Sequence, residues 1–211
     1  MSYCGWDEAS DEMRFYHDTE WGVPLKDDRL QFEFLSMEVM QCGLSFGLIM
    51  NRRQVLRDCF DDFDYEKVAR YTEADVERIM QTPGMIRAVR KIRAIIGNAQ
   101  AFLQVREEFG TFSDYLWGFT EGRTVLYDGH ASGYIPASNG LSERISRDLK
   151  QRGFRFVGGI TIYSHLQACG IICDHDSDCP CYQRIITMYP TVRMKPDAEK
   201  QVRFYGKGET S

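Results

Sequence analysis

The stretch from Glu33 to Phe46, reading EFLSMEVMQCGLSF, constrains this chain more than any other. It follows Asp27-Asp28, a pair suited to capping a helix, and it reads as helix. Gly43 ends that helix and Ser45 can cap the next. On a 3.6-residue period Glu38 lies above Phe34 and Leu35 and below Cys42, so a carboxylate is aimed at the apolar side. Burying a charge costs several kcal/mol unless it is paired or given hydrogen bonds, of order ~5 kcal/mol. Glu38 is therefore either neutralised inside the fold or kept for a ligand. The pattern alone leaves both readings open.

The chain has 211 residues, of which 43% are hydrophobic and 27% charged. It can bury a real core, and the mix is that of an ordinary soluble globular protein. No apolar run approaches the roughly 20 residues that span a bilayer. The segment Met1–Glu8 has neither a basic region nor an apolar core, so the expectation is a protein without a signal peptide that stays in the cytoplasm, away from membranes. Its 7 cysteines are then reduced, and some are candidates for metal binding. A formal net charge of −5 argues against a protein that coats nucleic acid. It leaves room for one that grips a short duplex through a local basic patch.

Taken in order, the chain is a succession of helices. A second one is expected from Phe46 to Phe60, with Arg52, Arg53 and Arg57 on a basic face that reads as solvated. Asp64 opens a short helix through Val68. Thr72 and Asp75 resemble a capping box in front of Val76, Ile79 and Met80. The turn Thr82-Pro83-Gly84-Met85-Ile86 follows, then a helix from Arg87 to Ile96 that opens with four cations in seven residues. Amides exposed at such a turn can hold a phosphate, with Arg87 and Lys91 adding attraction; a plain helical hairpin with a solvated face fits equally. The aromatic run Phe109–Phe119 reads as core, and Glu121–Gly140 as loop. Ser138 or Ser142 starts another helix, ending before Gly153. A further helix spans Ile160–Cys169. No strand is evident, and residues 184–211 read as a polar tail, partly ordered at most, behind a domain covering 1–183.

Cysteines and histidines gather at the two ends. His175 and Cys179 have an acceptable pair spacing for zinc, and Cys4 with His17 supplies two more ligands of the right type. Twelve residues separate Cys4 from His17 and impose no local geometry. Cys173 and Cys181 are rival ligands, and ordinary unligated residues are the plainer reading.

The order and spacing of many short motifs resemble the DNA-3-methyladenine glycosylase I family, within the helix-hairpin-helix glycosylases. The matching stretches are Cys4-Gly5-Trp6, Tyr16-His17-Asp18, Glu20-Trp21-Gly22-Val23-Pro24, and Glu38 with Gly43-Leu44-Ser45. They continue with Asp75–Arg78, Lys91-Ile92, Ala94–Ala99, Arg152-Gly153-Phe154, Phe156-Val157-Gly158, Gln167–Gly170, and Asp174-His175 with Cys179. The resemblance runs in register from about residue 3 to 182.

That resemblance implies an all-α fold of two lobes around a base pocket. It implies a structural zinc on Cys4, His17, His175 and Cys179, joining the chain ends, with Cys173 and Cys181 free. It makes Thr82–Ile86 the hairpin on the DNA backbone, through Gly84, Arg87 and Lys91. It gives Glu38 the catalytic, lesion-recognising role, with Trp6, Tyr16 and Phe46 lining the pocket. The implied reaction hydrolyses the N-glycosidic bond of 3-methyladenine in double-stranded DNA, by a monomer without a redox cofactor. Two rivals are a damage-recognising DNA-binding protein that does not cleave and a hydrolase that uses the metal. Three positions depart from the family: Phe46 where Trp is usual, Met13 where Tyr is frequent, and His165 where Phe is common. Phe stacks with less area than Trp and a weaker attraction for cations, which bears on lesion preference and rate.

Overall fold

The computed structural model describes residues 4–6, 10–132 and 135–196. Eleven helices among them run in chain order: α1 Asp11–Thr19, α2 Asp28–Gln41, α3 Phe46–Met50, α4 Arg53–Cys59, α5 Tyr65–Val68 and α6 Glu73–Gln81. They continue with α7 Val89–Phe109, α8 Phe112–Gly118, α9 Gly140–Gln151, α10 Gly159–Ala168 and α11 Pro180–Met188. No helix among the described residues is long and apolar enough to cross a membrane.

Helix α2 is the centre of the packing. Every residue from Gln31 to Met40 is buried. It lies against α3, α7, α8 and α10, and α10 in turn packs on α9. Over that stretch the helix has no solvent face, which is why its polar residues must be explained one by one. The Asp27 side chain accepts from the Leu30 amide at 2.8 Å, and Gly43 turns the chain at φ +78°. Ser45 then accepts from the Leu48 amide and starts α3. The Thr72–Asp75 capping box forms in front of α6 as its residues require. Around α9 the cap is Asn139, with Ser142 closing the box from inside the helix. The aromatic run contributes Phe112, Tyr115 and Trp117 to the core, as expected.

Three expectations are corrected. The single helix over Phe46–Phe60 is two helices, broken at Asn51-Arg52. The face expected to be solvated is so only at Arg52: Arg53 is only 12% exposed, donates to Glu20 through both terminal nitrogens (2.9 and 2.7 Å), and reaches Glu33 at 2.6 Å. Arg57 also binds Glu33. Spacing shows that a face is basic; it does not show which carboxylates the rest of the chain brings to it. Second, the fold is not free of strands. β1 Thr124–Tyr127 pairs in parallel with β2 Thr191–Met194, Thr124 opposite Thr191. All four residues of β1 are buried, so no alternation marks it in the sequence. Third, the helix after the turn starts at Val89 rather than Arg87 and continues to Phe109.

The C-terminal segment is also more structured than its composition suggests. The expected boundary at 183/184 falls inside α11, and β2 follows it. Arg184 donates to the Asp18 carbonyl at 2.7 Å, binding the segment to the end of α1. Residues 197–211 of the expected tail lie outside the described residues.

Candidate active site

Glu38 sits in the third turn of α2 and is 6% exposed. No hydrogen bond or ion pair reaches its carboxyl from the described residues. Burial pushes its pKa up to about 8. Burial thus favours the protonated, uncharged carboxyl in the folded chain, with no partner for it among the described residues. Tyr16, buried on α1, is its neighbour: desolvation first, then the charge of Glu38, raise the phenol well above its ordinary range. The Tyr16 ring lies 5.2 Å from Phe46, tilted, and 6.1 Å from Phe34, edge-on. Trp6 stands 6.3 Å from Tyr16. The three aromatic residues expected around Glu38 therefore form one cluster, with Phe46 half-buried at the start of α3. Met13 is buried on α1, and His165 is fully buried on α10. Neither ring nitrogen of His165 has a hydrogen-bond partner among the described residues, and burial lowers its pKa to about 3.

The same aromatic cluster runs on to the cysteine–histidine group. Trp6 packs edge-on against Trp21 at 5.0 Å, and Trp21 edge-on against His175 at 4.4 Å. Cys4, His17, His175 and Cys179 place four ligand atoms within 4.8 Å of one another, and this group could hold a metal ion. Cys4 Sγ and Cys179 Sγ each lie 3.6 Å from His175 Nδ1, and Cys179 Sγ lies 3.8 Å from His17 Nε2. The remaining ring nitrogens are used outward. His175 Nε2–H donates to the Trp21 carbonyl at 3.1 Å, and His17 Nδ1–H to Asp18 at 2.7 Å. Those bonds fix which nitrogen of each ring faces the group. A hydrogen bond from Cys4, helped by both histidines, favours the Cys179 thiolate. Cys181 stays outside the four, its Sγ 3.9 Å from the His17 carbonyl, though with His17 and Asp18 it forms a second, smaller group of donors. Cys173 is buried nearby.

The α6–α7 turn is built around Gly84 at φ +80°. Its amide and those of Ile86 and Arg87 have no acceptor among the described residues, and Arg87 is exposed. A Cβ on Gly84 would come within 3.3 Å of Nη1 of Arg52, the residue just before α4, so this exposed cation stands beside the turn. Lys91 is the other cation expected at the DNA backbone. Its ammonium bonds the carbonyls of Met40 at 2.8 Å and Cys42 at 2.5 Å, at the end of α2.

Sequence reasoning missed Trp21, Arg52 and a buried polar cluster. Trp21 follows His17 by four residues, in the turn just past α1, a spacing that carries the signal. Arg52 was visible only as part of a basic face. The cluster centres on Asp174, which accepts from His130 (2.7 Å), Tyr163 (2.6 Å) and Gln167 (2.8 Å) and so braces the residue before His175. Its members are scattered along the chain and no spacing announces them.

The chain is mainly helical, with a buried carboxyl next to an aromatic cluster and, between α6 and α7, a turn with free amides. The profile of the methyladenine glycosylase family matches residues 6–182. DNA-3-methyladenine glycosylase 1 of Escherichia coli K12 is 42% identical over 182 residues, which is 86% of this chain and 97% of that protein. The solved 3-methyladenine DNA glycosylase I of Staphylococcus aureus is 35% identical, with a TM-score of 0.80 over 85% of this chain and 96% of that one. A variant of 3-methyladenine DNA glycosylase I, solved in complex with 3-methyladenine, also gives a TM-score of 0.80 at 35% identity, covering 85% and 97%. This chain belongs to the methyladenine glycosylase family and is an enzyme. Residues 183–196, with most of α11 and all of β2, lie beyond the part the family profile matches.

Proposed function

We propose that this enzyme hydrolyses the N-glycosidic bond of 3-methyladenine in double-stranded DNA, with the nucleotide turned out of the duplex into the cluster around Glu38. The observation that carries this reading is the Glu38 carboxyl, buried beside Tyr16 without a partner among the described residues. Methylation at N3 leaves the attached purine positively charged. It is then a good leaving group and needs no protonation. The enzyme's work is to extract the nucleotide, hold the base and favour separation of charge. Extraction costs a few kcal/mol, roughly 2–4, and least for a damaged base. Trp6, Tyr16 and Phe46 supply ring faces for a cationic base. A cation brought against Glu38 offsets the burial that raises its pKa, so the base ionises the carboxyl that binds it. The resulting carboxylate accepts hydrogen bonds from the base edge and stabilises positive charge on base or sugar.

The α6–α7 turn serves as the backbone grip. The free amides of Gly84, Ile86 and Arg87, together with Arg52 and the Arg87 side chain, form an anion-binding concavity. Such contacts fix position on the duplex without reading sequence.

Cys4, His17, His175 and Cys179 would hold a zinc ion. Bonds of about 2.3 Å to sulfur and about 2.05 Å to nitrogen put tetrahedral S and N ligands about 3.6 Å apart, close to the separations found here. Four protein ligands close the shell, so the ion supplies a cross-link between the chain ends, and the chemistry rests with Glu38. The test is incubation with alkylated duplex DNA and identification of the free bases. Release of 3-methyladenine by the wild-type protein supports the reading. Tight binding to the damaged duplex without base release would leave a damage-recognising protein instead.

A further inference from the structure

We propose that Lys91 is a positioning residue for the pocket, setting the spacing between Glu38 and Phe46, and that it makes no contact with DNA phosphate. This rests on the reading that Glu38 and Phe46 hold the base. The geometry begins at the end of α2. The last carbonyls of a helix have no partner within it and carry partial negative charge. α2 has no basic residue in its own last turn. The cation comes instead from α7, whose third residue is Lys91. Its ammonium donates to the carbonyls of Met40 and Cys42.

Those two carbonyls bracket the junction that matters. Glu38 is one turn back on α2. Ahead lie Gly43 in the left-handed region, Leu44, whose amide bonds the Gln41 carbonyl, and Ser45, which caps α3 at Phe46. The carboxylate and the aromatic wall are thus on opposite sides of one short turn, and Lys91 is the side chain that clamps it. Burial lowers the Lys91 pKa, while the two carbonyls it bonds are acceptors suited to an ammonium donor. Lys91 also lies just past the Gly84 turn on the same helix, so one side chain joins the backbone grip to the base pocket. Two of the ammonium's three donors are committed to α2, which holds the charge at the helix end.

The experiment compares zinc-loaded wild type with Lys91→Met, Lys91→Gln and Lys91→Arg, all well below their melting points. Three quantities are read: affinity for free 3-methyladenine by calorimetry, affinity for undamaged duplex across a salt series, and melting temperature. Lys91→Met should bind the free base about tenfold more weakly or worse, the effect of losing one to two charge-assisted hydrogen bonds. Lys91→Gln, with a donor but no charge, should be intermediate and gives the answer if the Met variant does not fold. Lys91→Arg should recover most of the affinity. Duplex affinity and its salt dependence should match wild type in all three. A salt slope reduced by about one in Lys91→Met would make Lys91 a phosphate contact and overturn the proposal. A lowered melting temperature with unchanged free-base affinity would make it a helix cap only, and would overturn it equally. Wild-type protein that binds no free 3-methyladenine overturns the reading of the pocket itself, before any variant is compared.

Discussion

Glu38→Gln should make this protein more stable and less active, and the gain in stability should depend on pH in a calculable way. In the folded chain burial holds the Glu38 proton up to about pH 8, against an ordinary value of 4.5. The unfolded chain releases that proton first. Wild-type stability therefore falls as pH rises from about 4.5 to about 8 and then levels off. The slope approaches 1.36 kcal/mol per pH unit, so three to four units set a ceiling of about 5 kcal/mol at high pH. Gln has nearly the same shape and no proton to lose, so its difference from wild type isolates this contribution. The pH dependence of the cysteines and histidines is common to both proteins and cancels. Urea unfolding at pH 5, 6.5, 8 and 9 should show near-equal midpoints at pH 5. By pH 9 Glu38→Gln should lead by about 2 kcal/mol or more, a large part of a typical domain's total stability. Excision should move the other way, falling on the order of tenfold to a hundredfold or more as a charge-assisted contact to the base is lost. A stability difference that does not change with pH would show that Glu38 is satisfied inside the fold, and the argument for a held-ready carboxylate would be wrong.

Three further predictions follow from other parts of the molecule. Cys179→Ala should lose metal and stability together, because a structural zinc is coupled to folding; full zinc retention by elemental analysis would refute the four-ligand assignment. Gly84→Leu, which puts a side chain at φ +80° against Arg52, should weaken binding to damaged and undamaged duplex alike, whereas a change confined to lesion preference would remove the turn from the backbone. His165→Phe should raise stability by about 1–3 kcal/mol near pH 7, since two unsatisfied buried nitrogens disappear. The folded chain keeps His165 neutral down to about pH 3 while the unfolded chain takes up a proton near 6.5, so wild type should lose stability as pH falls through that window and the Phe variant should lose less. Parallel acid-unfolding curves for the two proteins would refute it.

What the sequence determined by itself was local. Asp27, Ser45, Thr72 and Asp75 cap helices because a short oxygen next to an amide acts within one turn. Gly43 and Gly84 mark left-handed turns for the same short-range reason. The burial of Glu38 followed from its place in the helical period, and the metal candidates from ligand type, with the family resemblance choosing four among the six Cys and His residues weighed as ligands. What only the tertiary structure decided were the meetings of distant segments. Arg53 reads as a solvated cation until Glu20, just past the end of α1, and Glu33 on α2 arrive. β1 has no alternation because both its faces are covered, and its partner comes from a segment that reads as a tail. Lys91 reads as a phosphate ligand because it follows a basic turn, yet its ammonium goes to the end of α2. Each of these rests on charge and hydrogen bonding across space. A linear pattern gives the donors and the acceptors but not their pairing, since every cation in it could satisfy many anions and carbonyls. Only the packed chain, which excludes water from α2 and leaves each buried polar group a single choice of neighbours, makes that selection.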